Sequence, residues 1–222
     1  MKGKNRLHWA LVSYMFCKKM QEHPKEYLDY QRRIAEKILK EEFRNKFHVE
    51  FNRDKVIKGE NGKPQWPEGE NIYFNVTNTN GFVACAFSDI DIGVDAEKIR
   101  PIRMAAARRC CTSEEIEYIL GVSDPSFSPV PEGDICQGMD AGRFFRLWTL
   151  KESYIKMTGE GLRFPLQEVS FSLQKRQRGG EEIRCSQSGC FLQRQIGEYW
   201  ISLCARQEVE AAWRKLPPPS GI

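Results

Sequence analysis

The sequence predicts an α+β protein made of two similar subdomains, each a helix packed on a small antiparallel sheet. Two segments, about 25–44 and 144–157, place apolar residues at helical spacing. Short runs of β-prone residues follow each of these segments. Because this order occurs twice in 222 residues, we expect two subdomains. Their expected bounds are 1–100 and 101–215, with the segment 121–142 inside the second and a tail over 216–222.

The first predicted elements are a strand and a helix. The apolar run Trp9–Phe16 follows basic residues and imitates a secretory leader, but it is short and ends at Lys18 and Lys19 without a small-residue cleavage site. We therefore predict a strand there. Pro24 suits the first turn of a helix, and the amphipathic segment 25–44 follows it directly.

A β-hairpin is predicted next. Residues 72–76 and 82–87 are typical strand sequences. Asn80-Gly81 lies between them and favours a tight turn, because both residues tolerate positive φ. Residues 90–96 make a third predicted strand. We expect the three strands to form an antiparallel meander with the helix packed across it.

The second half repeats this order. Ser113, followed by two acids, begins a short predicted helix over 113–120. The segment 121–142 is rich in Gly, Pro, Ser and Asp, which predicts a functional or disordered connection. Helix 144–157 is expected to end at Gly159 and Gly161. The remaining expected features are strands over 169–173, 190–195 and 199–205, and a frayed proline-rich tail.

Composition and charge exclude several classes of protein. A formal net charge of +4 is too mild for a nucleic-acid-binding protein and suits a partner with an acidic surface. The eight cysteines show neither a disulfide framework nor zinc-ligand spacing, so we expect reduced thiols in the cytoplasm. No stretch approaches the length of a membrane span. The three histidines, His8, His23 and His48, lie in no motif.

The run Ile92–Glu97 raises the first question of chemistry. In a strand, Asp95 and Glu97 point to one face roughly 7 Å apart, and Gly93 leaves that face uncrowded. The acids could simply line the wet face of a half-buried sheet. They could instead bind Mg²⁺, which takes carboxylate oxygens and completes its shell with water and substrate phosphates. Two carboxylates alone do not decide between these alternatives.

The second predicted helix supplies a third acid and a cation. Glu152 and Lys156 are four residues apart, so they are neighbours on one helix face. An isolated pair of this kind is usually a surface ion pair worth about a few tenths of a kcal/mol. Here the pair stands in a dense set of specific residues between Trp148 and Gly161, which favours a functional site.

Three segments of the chain resemble the 4′-phosphopantetheinyl transferases of the larger, surfactin-synthetase-activator (Sfp) type. The order and spacing of the segments also match, so the resemblance extends over most of 25–205. The segments are Gly62–Pro64 leading into Tyr73–Thr79, then Ile92–Lys98, and then Leu147–Lys156.

The resemblance implies a pseudo-twofold pair of α+β subdomains with coenzyme A in the cleft between them. The implied reaction is Mg²⁺-dependent transfer of the phosphopantetheine arm to a serine of an acyl, peptidyl or aryl carrier protein. It releases adenosine 3′,5′-bisphosphate. The family resemblance also implies a monomer, because one chain supplies both halves of the cleft. Fatty-acid, polyketide and nonribosomal-peptide synthesis all remain open as the pathway.

The resemblance further implies roles for individual residues. The implied metal ligands are Asp95, Glu97 and Glu152. Lys156 would contact the coenzyme's phosphates, and the base would be Glu152 or a water held by Glu115 or Glu152. The implied contacts with coenzyme A are Lys63 and Pro64 at the adenine, Thr77 and Asn78 at the phosphate end, and Arg32 and Arg33 at the 3′-phosphate.

Several alternatives stay open at this point. The family usually has histidine where this chain has Asn78, which can donate a hydrogen bond but adds no positive charge. A catalytically silent coenzyme A or carrier-binding module is therefore an alternative, as is an enzyme for another pyrophosphate substrate. Arg32 and Arg33 could be solvated helix charges. A further basic set is expected either to dock an acidic carrier protein or to be ordinary surface: Arg100, Arg103, Arg108 and Arg109.

Overall fold

The α+β class is confirmed by a computed structural model, which describes residues 8–19, 24–59, 61–67, 71–121, 139–175 and 181–218. The helices are α1 (Pro24–Glu42), α2 (Met104–Cys110), α3 (Ser113–Leu120) and α4 (Ala141–Thr158). The strands are β1 (His8–Phe16), β2 (Ile57–Lys58), β3 (Pro64–Gln65), β4 (Tyr73–Thr79), β5 (Phe82–Ser88), β6 (Ile92–Lys98), β7 (Phe171–Lys175), β8 (Glu181–Cys185), β9 (Cys190–Ile196), β10 (Tyr199–Ala205) and β11 (Val209–Lys215).

Helix ends follow the local chemistry of the sequence. Asp140 caps the start of α4 by accepting a hydrogen bond from the backbone N–H of Arg143. Gly159 ends the helix at φ +79°, a conformation that glycine adopts without strain. Helix α1 stops at Glu42 and passes into a π-helical turn over 43–47, two residues earlier than expected. Within the described residues, no helix combines the length and apolar character that a membrane crossing needs.

The strand pairing corrects the expected meander. Strands β11, β1, β5 and β4 lie in that order in a main sheet, whereas β6, β10 and β9 form a second sheet. Strand β6 therefore leaves the β4–β5 hairpin and pairs with β10, with Asp95 opposite Ser202. Strand β11, which the sequence analysis missed, lies parallel to β1, so the main sheet is not purely antiparallel. Strand pairing thus links the two expected subdomains. Strand β6, before residue 100, pairs with β10, and β11, after residue 100, pairs with β1.

Two segments of the second half, 121–142 and the tail from residue 216, differ from expectation where the structure describes them. Most of the segment 121–142 lies outside the described residues, and its last two residues begin α4. The tail expected from residue 216 is anchored at its start, because Leu216 is 2% exposed and its backbone N–H donates to Tyr14 O. Leu216 therefore belongs to the core rather than to a frayed end.

The described residues form four layers, and a hydrophobic core lies between every two neighbouring layers. Helix α1 packs on the outer face of the main sheet through Ile34, Ile38 and the aromatic cluster around Phe43. The inner faces of the two sheets pack on each other through small and branched residues such as Val12 and Val94. Helix α4 covers the outer face of the second sheet. Asp95 of β6 lies where this strand meets α4 and β4.

Side chains of β4 join the two sheets. Asn75 Oδ1 accepts the backbone N–H of Val94 at 3.0 Å, and Thr77 Oγ1 accepts that of Ala96 at 3.2 Å. These bonds satisfy donors of β6 on the side that has no strand partner. They also bring β4 alongside the two acids of β6.

Candidate active site

The acids of β6 lie under helix α4 and not on a wet face. The side chain of Asp95 is 7% exposed and that of Glu97 is 21% exposed. Gly93, two residues before Asp95, explains the close approach of the helix. A Cβ built there would lie 2.1 Å from Ser153 O and 2.3 Å from Met157 N. The alternative of a solvent-exposed sheet face is therefore wrong.

Helix α4 brings an ammonium to these acids. Lys156 Nζ lies 2.7 Å from Asp95 Oδ1 and 3.3 Å from Thr77 Oγ1. The side chain of Lys156 is 28% exposed, so its cation is partly shielded from water. The pairing joins two stretches that are 61 residues apart in the chain.

Glu152 also faces the acids of β6. Burial, followed by the negative charge of Asp95, raises the pKa of Glu152 to about 6. The Lys156 ammonium opposes this rise, and the charge of Glu97 adds to it. Burial and the charge of Asp95 also raise the pKa of Glu97, against the influence of Arg100 and Thr79. The charge of Asp95 therefore disfavours the charged forms of both Glu97 and Glu152.

The donor set fits a hard cation. Asp95 is 5% exposed, and its Oδ2 is buried without a hydrogen-bond partner among the described residues. An unpartnered buried carboxylate oxygen among other acids is an electrostatic arrangement that a divalent cation would relieve. Across the described ranges, no three His, Cys, Asp or Glu side chains form a ready-made cage. Mg²⁺ takes few protein ligands and keeps positions for water and phosphates, so the residues present suit it.

Within the described residues, the hydrogen bonds and the ion pair of Glu115 are with groups other than the acids of β6. Glu115 is 1% exposed, and its Oε2 lies 2.7 Å from Nζ of the fully buried Lys151. Its oxygens also accept the backbone N–H groups of Thr112 and Phe171, both at 2.9 Å. Oε2 thus belongs to the capping box and the buried ion pair, and Oε1 accepts from Phe171, so three donors hold this carboxylate and make it a poor candidate for a base.

Lys63 and Pro64 line a cavity beside the acids. The cavity has a volume of about 250 Å³. Lys63 Nζ donates to Met157 O at 2.7 Å and to Asp91 Oδ1 at 3.1 Å, which ties the loop to the end of α4. Burial lowers the pKa of Lys63 despite the nearby Asp91 carboxylate. The lining residues are Asn61, Gly62, Lys63, Pro64, Asn75, Val76, Glu152, Ile155, Lys156, Gly159 and Gly161.

Thr77 and Asn78 differ in burial and in their hydrogen-bond partners. Thr77 is buried, and its hydroxyl donates to Asp95 Oδ1 at 3.2 Å, so it organises the acids instead of facing solvent. Asn78 is exposed, and its amide donates to Gln31 Oε1 at 3.0 Å. Gln31 in turn donates to Thr79 O at 2.6 Å, so the pair links α1 to the end of β4.

The structure does not bring Arg32 and Arg33 to this cavity. Arg32 Nη1 pairs with Asp29 Oδ1 at 2.7 Å on an exposed face of α1. Arg33 lines a separate surface depression with Lys37 and Arg44. Neither arginine is among the residues that line the cavity beside the acids. The alternative that they are solvated helix charges therefore agrees with their positions.

Two contacts of Glu97 were missed by the sequence analysis. Glu97 Oε2 accepts from Thr79 Oγ1 at 3.2 Å and from Arg100 Nη1 at 2.8 Å. The guanidinium of Arg100 also lies 4.5 Å from the ring centre of Phe145 on α4. The sequence held a signal for Thr79, because it stands two residues after Thr77 and shares its strand face.

A family model matches this chain over residues 91–204, and it describes the 4′-phosphopantetheinyl transferase superfamily. The match takes in β6, α4 and β10, which are the elements that carry the acids and Lys156 or pair with them. It extends over just over half of the 222 residues.

Curated relatives point the same way. The chain is 30% identical to 4′-phosphopantetheinyl transferase Sfp of Bacillus subtilis strain 168, over 66% of this chain and 60% of Sfp. It is 29% identical to the transferase ffp of Bacillus subtilis, over 78% of this chain and 70% of ffp. A solved holo-[acyl-carrier-protein] synthase of Thermotoga maritima overlaps at TM-score 0.37 and 13% identity, over 54% and 64% of the two chains. The chain thus spans about 60% of the length of Sfp.

Proposed function

This chain belongs to the 4′-phosphopantetheinyl transferase superfamily, and from that premise we propose that it transfers the phosphopantetheine arm of coenzyme A to a serine of a carrier protein. The named activity of the relatives supports this reaction. One observation in this chain carries the proposal. The acids Asp95 and Glu97, from one stretch, meet Glu152 and Lys156, from another, beside the cavity that Lys63 lines.

In the proposed reaction, the serine oxygen forms a bond to the β-phosphorus, and the bridging P–O bond of the pyrophosphate breaks. Adenosine 3′,5′-bisphosphate leaves with the electron pair of that bond. Negative charge grows on the leaving oxygen, where an ammonium stabilises it. Lys156 is the candidate, because its Nζ is held between Asp95 and Thr77 at the edge of the cavity.

Mg²⁺ is the proposed cofactor, and Asp95, Glu97 and Glu152 would hold it against the pyrophosphate. When bound, it supplies further stabilisation of charge on the phosphate oxygens. The buried, unpartnered Oδ2 of Asp95 supports this assignment. The fold itself holds the three carboxylates close together. Burial and the charge of Asp95 raise the pKa values of Glu97 and Glu152 there.

The serine proton needs an acceptor, and we assign this role to Glu152. It lines the cavity and its carboxylate forms no hydrogen bond within the described residues. In the absence of a cation, its pKa of about 6 leaves it ionised at neutral pH while keeping it more basic than an ordinary carboxylate. Glu115 is not retained as a candidate, because Lys151 and two backbone groups occupy its oxygens.

We propose two pseudo-twofold subdomains with the substrate cleft between them. Each outer helix, α1 or α4, covers one of the two sheets, which supports this division. Strand β6 then belongs with the second half and β11 with the first. The chain is proposed to act as a monomer in the cytoplasm, where the seven described cysteines, all free, would stay reduced.

Carrier docking is proposed on the basic surface between β6 and α2. Arg108 and Arg109 are exposed on α2, and Arg100 is exposed at the end of β6 beside Glu97. A positive surface beside Asp95, Glu97 and Glu152 would attract an acidic carrier protein. It would place the carrier's serine near the pyrophosphate.

The direct test incubates the chain with coenzyme A, Mg²⁺ and an apo carrier protein. Intact mass spectrometry should show a gain of one phosphopantetheine on the carrier serine. Binding of coenzyme A or carrier without any mass gain would favour a silent module and overturn the transferase assignment. The intact set of Asp95, Glu97, Glu152 and Lys156 argues against that alternative.

A further inference from the structure

The two acids of β6 are held in the same way by β4. Asp95 Oδ1 accepts from Thr77 Oγ1 at 3.2 Å and from the Lys156 ammonium. Glu97 Oε2 accepts from Thr79 Oγ1, also at 3.2 Å, and from the Arg100 guanidinium. Each carboxylate therefore gives one oxygen to a threonine and a cation. The repeat arises because the threonines are two apart on β4 and the acids two apart on β6.

In both cases the second oxygen is left for another ligand. Asp95 Oδ2 is buried and has no hydrogen-bond partner in the part of the chain that the structure describes. The hydrogen bonds and ion pair of Glu97 within the described residues all fall on Oε2, which leaves Oε1 uncommitted. A carboxylate anchored at one oxygen has lost much of its torsional freedom before a ligand arrives, so it binds with a smaller entropy cost.

We propose that Thr79 is a positioning residue for Glu97. The Thr79 hydroxyl fixes Oε2 of Glu97, so that Oε1 of Glu97 faces the cation site. This inference rests on the proposed function, because that function makes Glu97 a metal ligand. The resemblance assigned Thr77 and Asn78 to the coenzyme and left Thr79 without a role. In the structure the Thr79 hydroxyl donates to Glu97, in the same way as the Thr77 hydroxyl donates to Asp95.

The test compares Thr79→Val with Thr79→Ser. Valine keeps the shape of threonine and the β-propensity that a strand needs, but it cannot donate to Glu97. Serine keeps the hydroxyl. Mn²⁺ serves as the probe, because it takes the same oxygen ligands as Mg²⁺ and its free form is counted by electron paramagnetic resonance. Titrations are run on the full chain with and without coenzyme A.

We expect Thr79→Val to weaken Mn²⁺ binding by about 10-fold and Thr79→Ser to stay within about 2-fold of the wild type. Thr158→Val is the matched control, because the Thr158 hydroxyl bonds Ile155 O and Glu160 and none of the three acids. It should bind Mn²⁺ as the wild type does. Thr79→Ala serves as a second hydroxyl-free variant if the valine variant fails to fold.

The outcomes separate this inference from the proposed function. Wild-type affinity in Thr79→Val or Thr79→Ala overturns the positioning role while leaving the metal site and the transfer reaction in place. Equal weakening in the serine and valine variants also overturns it, because the hydroxyl would then not matter. A wild-type chain that binds no Mn²⁺, even with coenzyme A, removes the metal site itself and this inference with it. Loss of carrier modification alone bears on the function and not on Thr79.

Discussion

Asp95 shows at the scale of one residue how the fold prepares a site for a ligand. Its side chain is buried, yet among the described residues Oδ1 alone is paired and Oδ2 has no hydrogen-bond partner. A buried polar atom without a partner costs free energy and persists mainly where function requires it. Glu152 and Glu97 add like charge nearby, and Lys156 offsets only part of it. This concentration of negative charge would be relieved by a bound cation.

Glu152→Gln should stabilise the protein in the absence of divalent cations. The pKa of Glu152 is raised from 4.5 to about 6, so its charged form costs stability above that pH. We expect the variant to be more stable by about 1 kcal/mol at pH 7.5, since the full shift of about 2 kcal/mol is reduced by partial exposure. The difference should shrink as pH falls through 6 and vanish below 4.5.

Urea unfolding in EDTA at several pH values measures this effect. A stability difference that stays constant from pH 4 to pH 8 would show that repulsion among the acids is not its cause. The same variant should lose carrier modification, because it removes both a proposed metal ligand and the proposed base.

Asn78→His should tighten the binding of coenzyme A. Asn78 is exposed and held by Gln31 on α1, and an imidazole there would add a partial positive charge. We expect the Kd for coenzyme A to fall about 3- to 10-fold near pH 6.5, with a smaller gain at pH 8. Isothermal titration calorimetry at both pH values measures it. Equal Kd values for the variant and the wild type would mean that residue 78 does not face the phosphates.

At the scale of elements, the site depends on the direct packing of α4 on β6. Gly93 permits this contact because its missing Cβ would overlap the backbone of α4 at Ser153 and Met157. The overlap is with backbone atoms, which cannot rotate away as a side chain can. The strand and helix therefore stay close enough for Lys156 to reach Asp95.

Gly93→Ala should destabilise the protein strongly, by about 3 kcal/mol or more, because the added methyl group pushes the helix off the strand. It should also weaken Mn²⁺ binding by separating Glu152 from Asp95. Gly59→Ala is the matched control, since a Cβ there meets first the end of the flexible Gln65 side chain at 3.2 Å. Thermal denaturation of both variants checks the prediction, and similar melting temperatures would contradict it.

At the scale of the whole molecule, two stacked sheets place stretches that are distant in sequence on one site. Strand β6 leaves its hairpin neighbours and joins β10, while β4 remains in the main sheet. The acids of β6 therefore lie between the threonines of β4 and helix α4. The basic residues that follow β6 extend from this junction onto the surface of α2.

Reversing charge at Arg108 and Arg109 tests the docking surface. The double variant Arg108→Glu, Arg109→Glu should raise the KM for an acidic carrier about 10-fold or more, since charge complementarity steers association. The Kd for coenzyme A should not change. Lys37→Glu, Lys40→Glu is the control, because these exposed lysines lie on α1, on the opposite outer layer. A KM equal to that of the wild type would assign the arginines to ordinary surface.

Much of the fold was predictable, because many elements are governed by neighbouring residues. The hairpin at Asn80-Gly81, the first strand and the helix that ends at Gly159 were all confirmed. Helix α2 and strand β11 were missed, since their short patterns are weak without their packing partners. The meander was wrong because nothing local to β6 reveals that its partner is β10, more than a hundred residues away.

The sequence by itself singled out the residues that are proposed to carry the chemistry: the acid pair of β6, the Glu152–Lys156 pair at helical spacing, and the Lys63-Pro64 turn. Periodicity sets such relations within one element. Only the tertiary structure decided which of them meet. In the tertiary structure Lys156 pairs with Asp95, Glu115 forms a buried ion pair with Lys151, and Arg32 lies on an outer face. These outcomes depend on how sheets and helices stack, because contacts between distant segments arise from packing and not from local preference.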